Sequence, residues 1–96
     1  MNIDVAIEQI SRLKHLLSLP NVDVCWSKYT YADEVIRDLE FLEKGIINKD
    51  ENAIDQLLFL LLPTADLQEI SISSGWGKEF LVIANTLEVA LGKQTV

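Results

Sequence analysis

The chain has 96 residues, enough for one core but not two, since domains usually run to about 100–150 residues. Leu, Ile, Val and Phe fill 35 positions, far more than a disordered chain carries. Fifteen acidic residues against eight basic ones give a net charge of −7, which argues against non-specific binding to nucleic acid or to an anionic membrane surface.

The first predicted helix starts at Ile3. Ile3, Ile7, Ile10, Leu13 and Leu17 recur at steps of four and three and share one face, with Ala6 and Leu16 beside them. Asn2 fits the N-cap, Asp4 suits the positive end of the helix dipole, and Pro20 ends the helix. On the opposite face Glu8 and Arg12 form an i,i+4 pair of the favourable order. From Pro20 to Tyr29, Val22, Val24 and Trp26 alternate with Asp23 and Cys25, an extended pattern too short to make a sheet alone.

The second helix is expected from Thr30, with Thr30 and Asp33 spaced as a capping box. Its apolar face is Ala32, Val35, Ile36, Leu39, Leu42 and Ile46, and Gly45 weakens its last turn. A third helix is expected from Asp50 or Asn52 to Leu62, stopped by Pro63. Ala53, Ile54, Leu57, Leu58 and Leu61 form its stripe, but Phe59, Leu60 and Leu62 make it apolar almost all round. Such a helix is central in its bundle or is covered by a second chain. Ile70 to Ser73 alternates and reads as a short strand, followed by a turn at Ser73 to Gly77 with Trp76 as a core plug between two glycines. The fourth helix places Phe80, Leu81, Ala84, Leu87, Ala90 and Leu91 on one face, with Gly92 at its end.

The residues for common active sites are missing. His15 is the single histidine and Cys25 the single cysteine, so neither a disulfide nor a zinc set is available. His15 reads as a solvated helix residue and Cys25 as a small buried hydrophobe. The oxygen-rich turn Asn48 to Asn52 lacks calcium-loop spacing, and no glycine-rich phosphate loop occurs. No catalytic residue, metal or cofactor is therefore expected. The segment Met1-Asn2-Ile3-Asp4 lacks the basic and apolar regions of a signal peptide, and the apolar run Leu57 to Leu62 is far shorter than the ~20 residues a bilayer needs. A cytoplasmic location is the expectation.

One feature rises above this background. Between Thr30 and Asp55 eight acids stand against three bases, which is −5 of the net −7. Tyr29, Tyr31, Asp33, Glu34, Asp38, Glu40 and Glu43 combine aromatic rings with carboxylates, the chemistry of a surface that binds a basic protein. The competing reading is a solvated face that maintains solubility.

In size, acidity and helix count the chain resembles the small four-helix immunity proteins that neutralise bacterial nuclease toxins. Their Tyr-Tyr-Pro loop motif is absent, Tyr29-Thr30-Tyr31 standing in its place, and no functional residue is carried over from them. The expectation is a single all-α domain, residues 1–96, of about four helices with short extended connectors. Its expected function is protein–protein binding by a bacterial protein, in its sharpest form inhibition of a basic toxin. The alternative is a self-associating structural or regulatory module, a homodimer.

Overall fold

A computed structural model describes residues 1–25, 27–62 and 65–92. The described residues form five α-helices and no strand: α1 (Ile3–Leu17), α2 (Ala32–Ile47), α3 (Glu51–Leu60), α4 (Asp66–Ser74) and α5 (Gly77–Ala90). The all-helical expectation holds, with one helix more than the four anticipated. Pro63, expected to stop the third helix, and Trp26, in the expected extended segment, lie outside the described residues.

Helix α1 follows its sequence closely. Asn2 Oδ1 accepts the Val5 N–H at 3.1 Å, one of the donors a helix start leaves unpaired. Ala6, Ile10, Leu13 and Leu17 are buried, and so is Gln9, whose Oε1 accepts from Arg12 at 3.3 Å. Among the described residues Arg12 thus bonds Gln9 rather than pairing with Glu8.

Helix α2 starts two residues later than Thr30. Thr30 does not cap it; instead Glu34 Oε1 reaches back to the N–H groups of Thr30 and Tyr31, at 2.9 and 2.8 Å. The glutamate side chain is long enough to span the first turn, which the shorter Asp33 is not. The helix runs through Gly45 to Ile47. A Cβ at Gly45 would overlap Ala53 Cβ, so this glycine lets α2 and α3 approach closely. The turn after α2 is a Schellman motif: Asp50 N–H bonds Gly45 C=O at 2.9 Å and Lys49 N–H bonds Ile46 C=O at 2.9 Å, with Lys49 in the left-handed region at φ 59°. Asp50 Oδ1 then caps α3 through the Asn52 N–H at 2.9 Å.

The strand expected at Ile70 to Ser73 is a helix, α4. Leu67, Ile70 and Ser71 are buried at steps of three and one, and Ser71 Oγ donates to Gln68 C=O at 2.7 Å. That internal bond lets a serine sit in the core inside a helix. Gly75, at φ 88°, ends α4, and Trp76 N–H returns to Ser71 C=O at 2.9 Å. Only Gly75 of the pair flanking Trp76 needs a left-handed conformation; Gly77 is the first residue of α5. Trp76 is 6 % exposed and belongs to the core, as its plug role requires.

Helix α1, not α3, lies at the centre. It packs against α2 on one side and α5 on the other; α3 leans on α2, and α4 on α5. Two residues of the connector between α1 and α2 bond the two ends of α4. Asp23 N–H bonds Ser74 Oγ at 2.8 Å and Lys28 N–H bonds Asp66 Oδ1 at 3.2 Å. Asn2 N–H meets Ala90 C=O at 2.6 Å, which ties the start of α1 to the end of α5.

Candidate functional site

The expected aromatic and acidic residues scatter over four settings. Glu43 lies on the α1 side of α2, where Lys14 Nζ pairs with its Oε1 at 3.4 Å. Asp33 and Glu40 are exposed along the middle of the outer face, with exposed Arg37 and Lys44 interleaved at helical spacing. This middle stripe alternates in sign instead of forming an unbroken negative surface. Glu34 is occupied by the helix start, and Tyr31 stands exposed beside it.

Asp38 and Tyr29 are brought together elsewhere, in a groove of about 430 Å³ between α2, α3 and the end of the connector. Tyr29 is buried, and its phenol donates to Asp38 Oδ2 at 2.8 Å. Burial, and then the adjacent Asp38 carboxylate, raise the Tyr29 phenol above its ordinary value, so it stays a donor and holds the carboxylate in one orientation. Lys28 Nζ stands 5.3 Å from the centre of the Tyr29 ring, within cation–π range.

The walls of the groove are two phenylalanines that the acidic pattern does not reveal. Phe41 on α2 is 72 % exposed and Phe59 on α3 is 68 % exposed, above a floor of buried Leu42 and Leu60. Phe41 lies one turn beyond Asp38, and Phe59 one turn beyond Asp55, so each helix presents a carboxylate followed by a ring. The signal for Phe41 was its place among charged residues, off the apolar face of α2. For Phe59 it was the excess apolar surface of α3, which the bundle leaves uncovered.

Cys25 is exposed, contrary to the buried position expected for it. Asp23 Oδ1 accepts the Cys25 N–H at 2.9 Å and turns the chain outward there. The neighbouring carboxylate pushes the thiol pKa up, which keeps it in its unreactive form. His15 is exposed on α1. Among the described residues no three His, Cys, Asp or Glu side chains gather as metal ligands would, and no helix is long and apolar enough to cross a membrane. Comparison with known protein families, with curated proteins and with solved structures finds no match.

Proposed function

We propose that this chain is a protein-binding module whose α2–α3 groove receives a basic segment of another protein. The observation that carries the reading is the pair of exposed rings, Phe41 on α2 and Phe59 on α3, that line one groove together with Asp38 and Asp55. Exposed aromatics beside carboxylates suit a Lys or Arg side chain, whose stem lies on a ring while its charge meets an oxygen. Asp38, oriented by Tyr29, keeps lone pairs for such a donor. The net charge of −7 adds long-range attraction for a basic partner. An inhibitory role toward a basic toxin, in the manner of immunity proteins, is the form that the resemblance in size and acidity supports. The partner would be captured by surface complementarity, with no chemical step.

A direct test titrates the isotope-labelled protein with a peptide of alternating Lys, Arg and Leu, and with its Glu-substituted counterpart. Amide shifts should concentrate around Asp38, Phe41, Asp55 and Phe59 with the basic peptide only. Phe41→Ala and Phe59→Ala should each weaken binding by roughly five- to thirtyfold, as loss of an aromatic anchor does. Shifts spread evenly over the acidic surface, or unchanged affinity in both variants, would reject the groove.

A further inference from the structure

The α2–α3 groove already holds a cation of the chain's own. Lys28 lines it beside Tyr29 and Asp38, where the connector leads into α2. The backbone here is fixed. Lys28 N–H bonds Asp66 Oδ1 at 3.2 Å and Tyr29 N–H bonds Ser27 Oγ at 3.2 Å, while the Tyr29 phenol donates to Asp38 Oδ2 at 2.8 Å. The Lys28 side chain is exposed, and its Nζ stands over the Tyr29 ring, 5.3 Å from the centre. Among the described residues it pairs with no carboxylate, although Asp38 and Asp55 line the same groove. An aromatic face, not an acid, therefore holds this ammonium. Among the described residues no cation stands on the rings of Phe41 and Phe59, so the Tyr29 ring is taken while the two exposed rings are open.

We infer, on the footing of the groove's role in binding basic segments, that Lys28 is its resident cation and that a partner's Lys or Arg binds by displacing it. The Tyr29 phenol bonds Asp38, so a cation that reaches this carboxylate arrives beside the ring that Lys28 covers. Two cations at one ring repel each other, and the incoming one gains the ring only when the resident leaves. Lys28 can leave without cost to the fold, because its four-carbon stem is flexible and its backbone bonds do not involve the side chain. A cation–π contact at an exposed site is weak, so the resident lowers the groove's affinity and does not close it. Its effect is a threshold. A chain of net charge −7 attracts basic proteins over long range, and a cation already in the groove raises what a partner must supply at short range. A partner that also fills the space between Phe41 and Phe59 with apolar contact meets that threshold; a bare charge does not.

Calorimetric titration of the intact chain with the peptide of alternating Lys, Arg and Leu tests this. Lys28→Gln should tighten binding by about two- to fivefold, the size of an exposed cation–π contact. Lys78→Gln, the same change of charge at an exposed site on α5, should alter it far less, because screening weakens a distant charge. Lys28→Arg keeps both the charge and the ring contact and should bind no more tightly than the wild type. Proton resonances supply a readout that needs no variant. The Lys28 ε-methylene protons should lie upfield in the free chain, under the Tyr29 ring current, and return to ordinary positions as the peptide saturates the groove. Equal tightening in Lys28→Gln and Lys78→Gln, tightening in Lys28→Arg, or Lys28 protons still upfield at saturation would each overturn the inference. Binding that maps to the groove with no effect of Lys28 overturns this inference alone. A peptide that binds neither the wild type nor Lys28→Gln overturns the groove's role as well.

Discussion

At the scale of single residues, two aromatic side chains bear the sharpest expectations. Tyr29 has a phenol pKa raised from its usual 10.0 by burial and by Asp38, with smaller contributions from Asp66 and Glu34. Folding therefore holds a proton that the unfolded chain releases near pH 10. This stabilisation is complete below pH 10 and is lost as the pH climbs from there through the raised folded value. Tyr29→Phe should cost about 1–3 kcal/mol at pH 8, since Asp38 loses its donor. Urea midpoints at pH 8 and at roughly pH 11 should fall more for the wild type than for the variant; equal falls would exonerate the phenol. Trp76, buried at the junction of α4 and α5, is the larger liability. Its Nε1 finds no acceptor among the described residues, so its contribution is one of packing and not of hydrogen bonding. Trp76→Ala should cost about 3–5 kcal/mol out of a total of roughly 5–15 kcal/mol. A urea midpoint near that of the wild type would contradict its place in the core.

At the scale of elements, the contact between α2 and α3 depends on a missing methyl group. Alanine normally favours a helix over glycine by about 1 kcal/mol, yet a Cβ at Gly45 would meet Ala53 Cβ. Gly45→Ala should therefore destabilise, by about 1–3 kcal/mol, and the double variant Gly45→Ala with Ala53→Gly should recover much of that loss. Thermal melts of the two variants decide it, since a stabilised single variant would mean the helices can separate freely. The same contact shows why the groove was only half visible in the sequence. Tyr29 and Asp38 are nine residues apart, the first at the edge of the acid-rich stretch and the second within it. Phe41 and Phe59 line one groove because α2 and α3 pack together, with a close approach at Gly45 and Ala53, and residue spacing along either helix carries no such information. Helix α1 was legible from cap to terminal proline because fifteen residues hold four turns of one period. Helix α4 was not: Ile70-Ser71-Ile72-Ser73 fits a period of two, and nine residues are too few for the longer period to prevail. Burial of Leu67, Ile70 and Ser71 together decided the matter in favour of the helix.

At the scale of the whole molecule, the charge imbalance acts on stability as well as on partners. A net charge of −7 on a chain with a radius of gyration of 12.3 Å repels itself. Among the described residues the ion pair Lys14–Glu43 offsets little of this, both groups being partly solvated. Raising sodium chloride from roughly 10 to 200 mM, which shortens the Debye length from about 30 to below 10 Å, should raise the melting temperature by about 2–4 °C, equivalent to roughly 0.5 kcal/mol for a domain of this size. A melting temperature that falls with salt would mean that attractive pairs dominate the surface.

The central place of α1 also sets a timetable for synthesis. Ala6, Ile10 and Leu13 leave the ribosome before the residues of the other four helices, yet α1 packs on α5, the last of the five to be made. At about 5–20 residues per second, the ribosome needs roughly 3–12 s to pass from Leu17 to Gly77. Until α2 is complete the stripe of α1 lacks both helices it packs on, and from then until α5 emerges it has α2 alone. Nascent chains stalled before Gly77 should expose this stripe to chaperones and proteases, and release of α5 should close it.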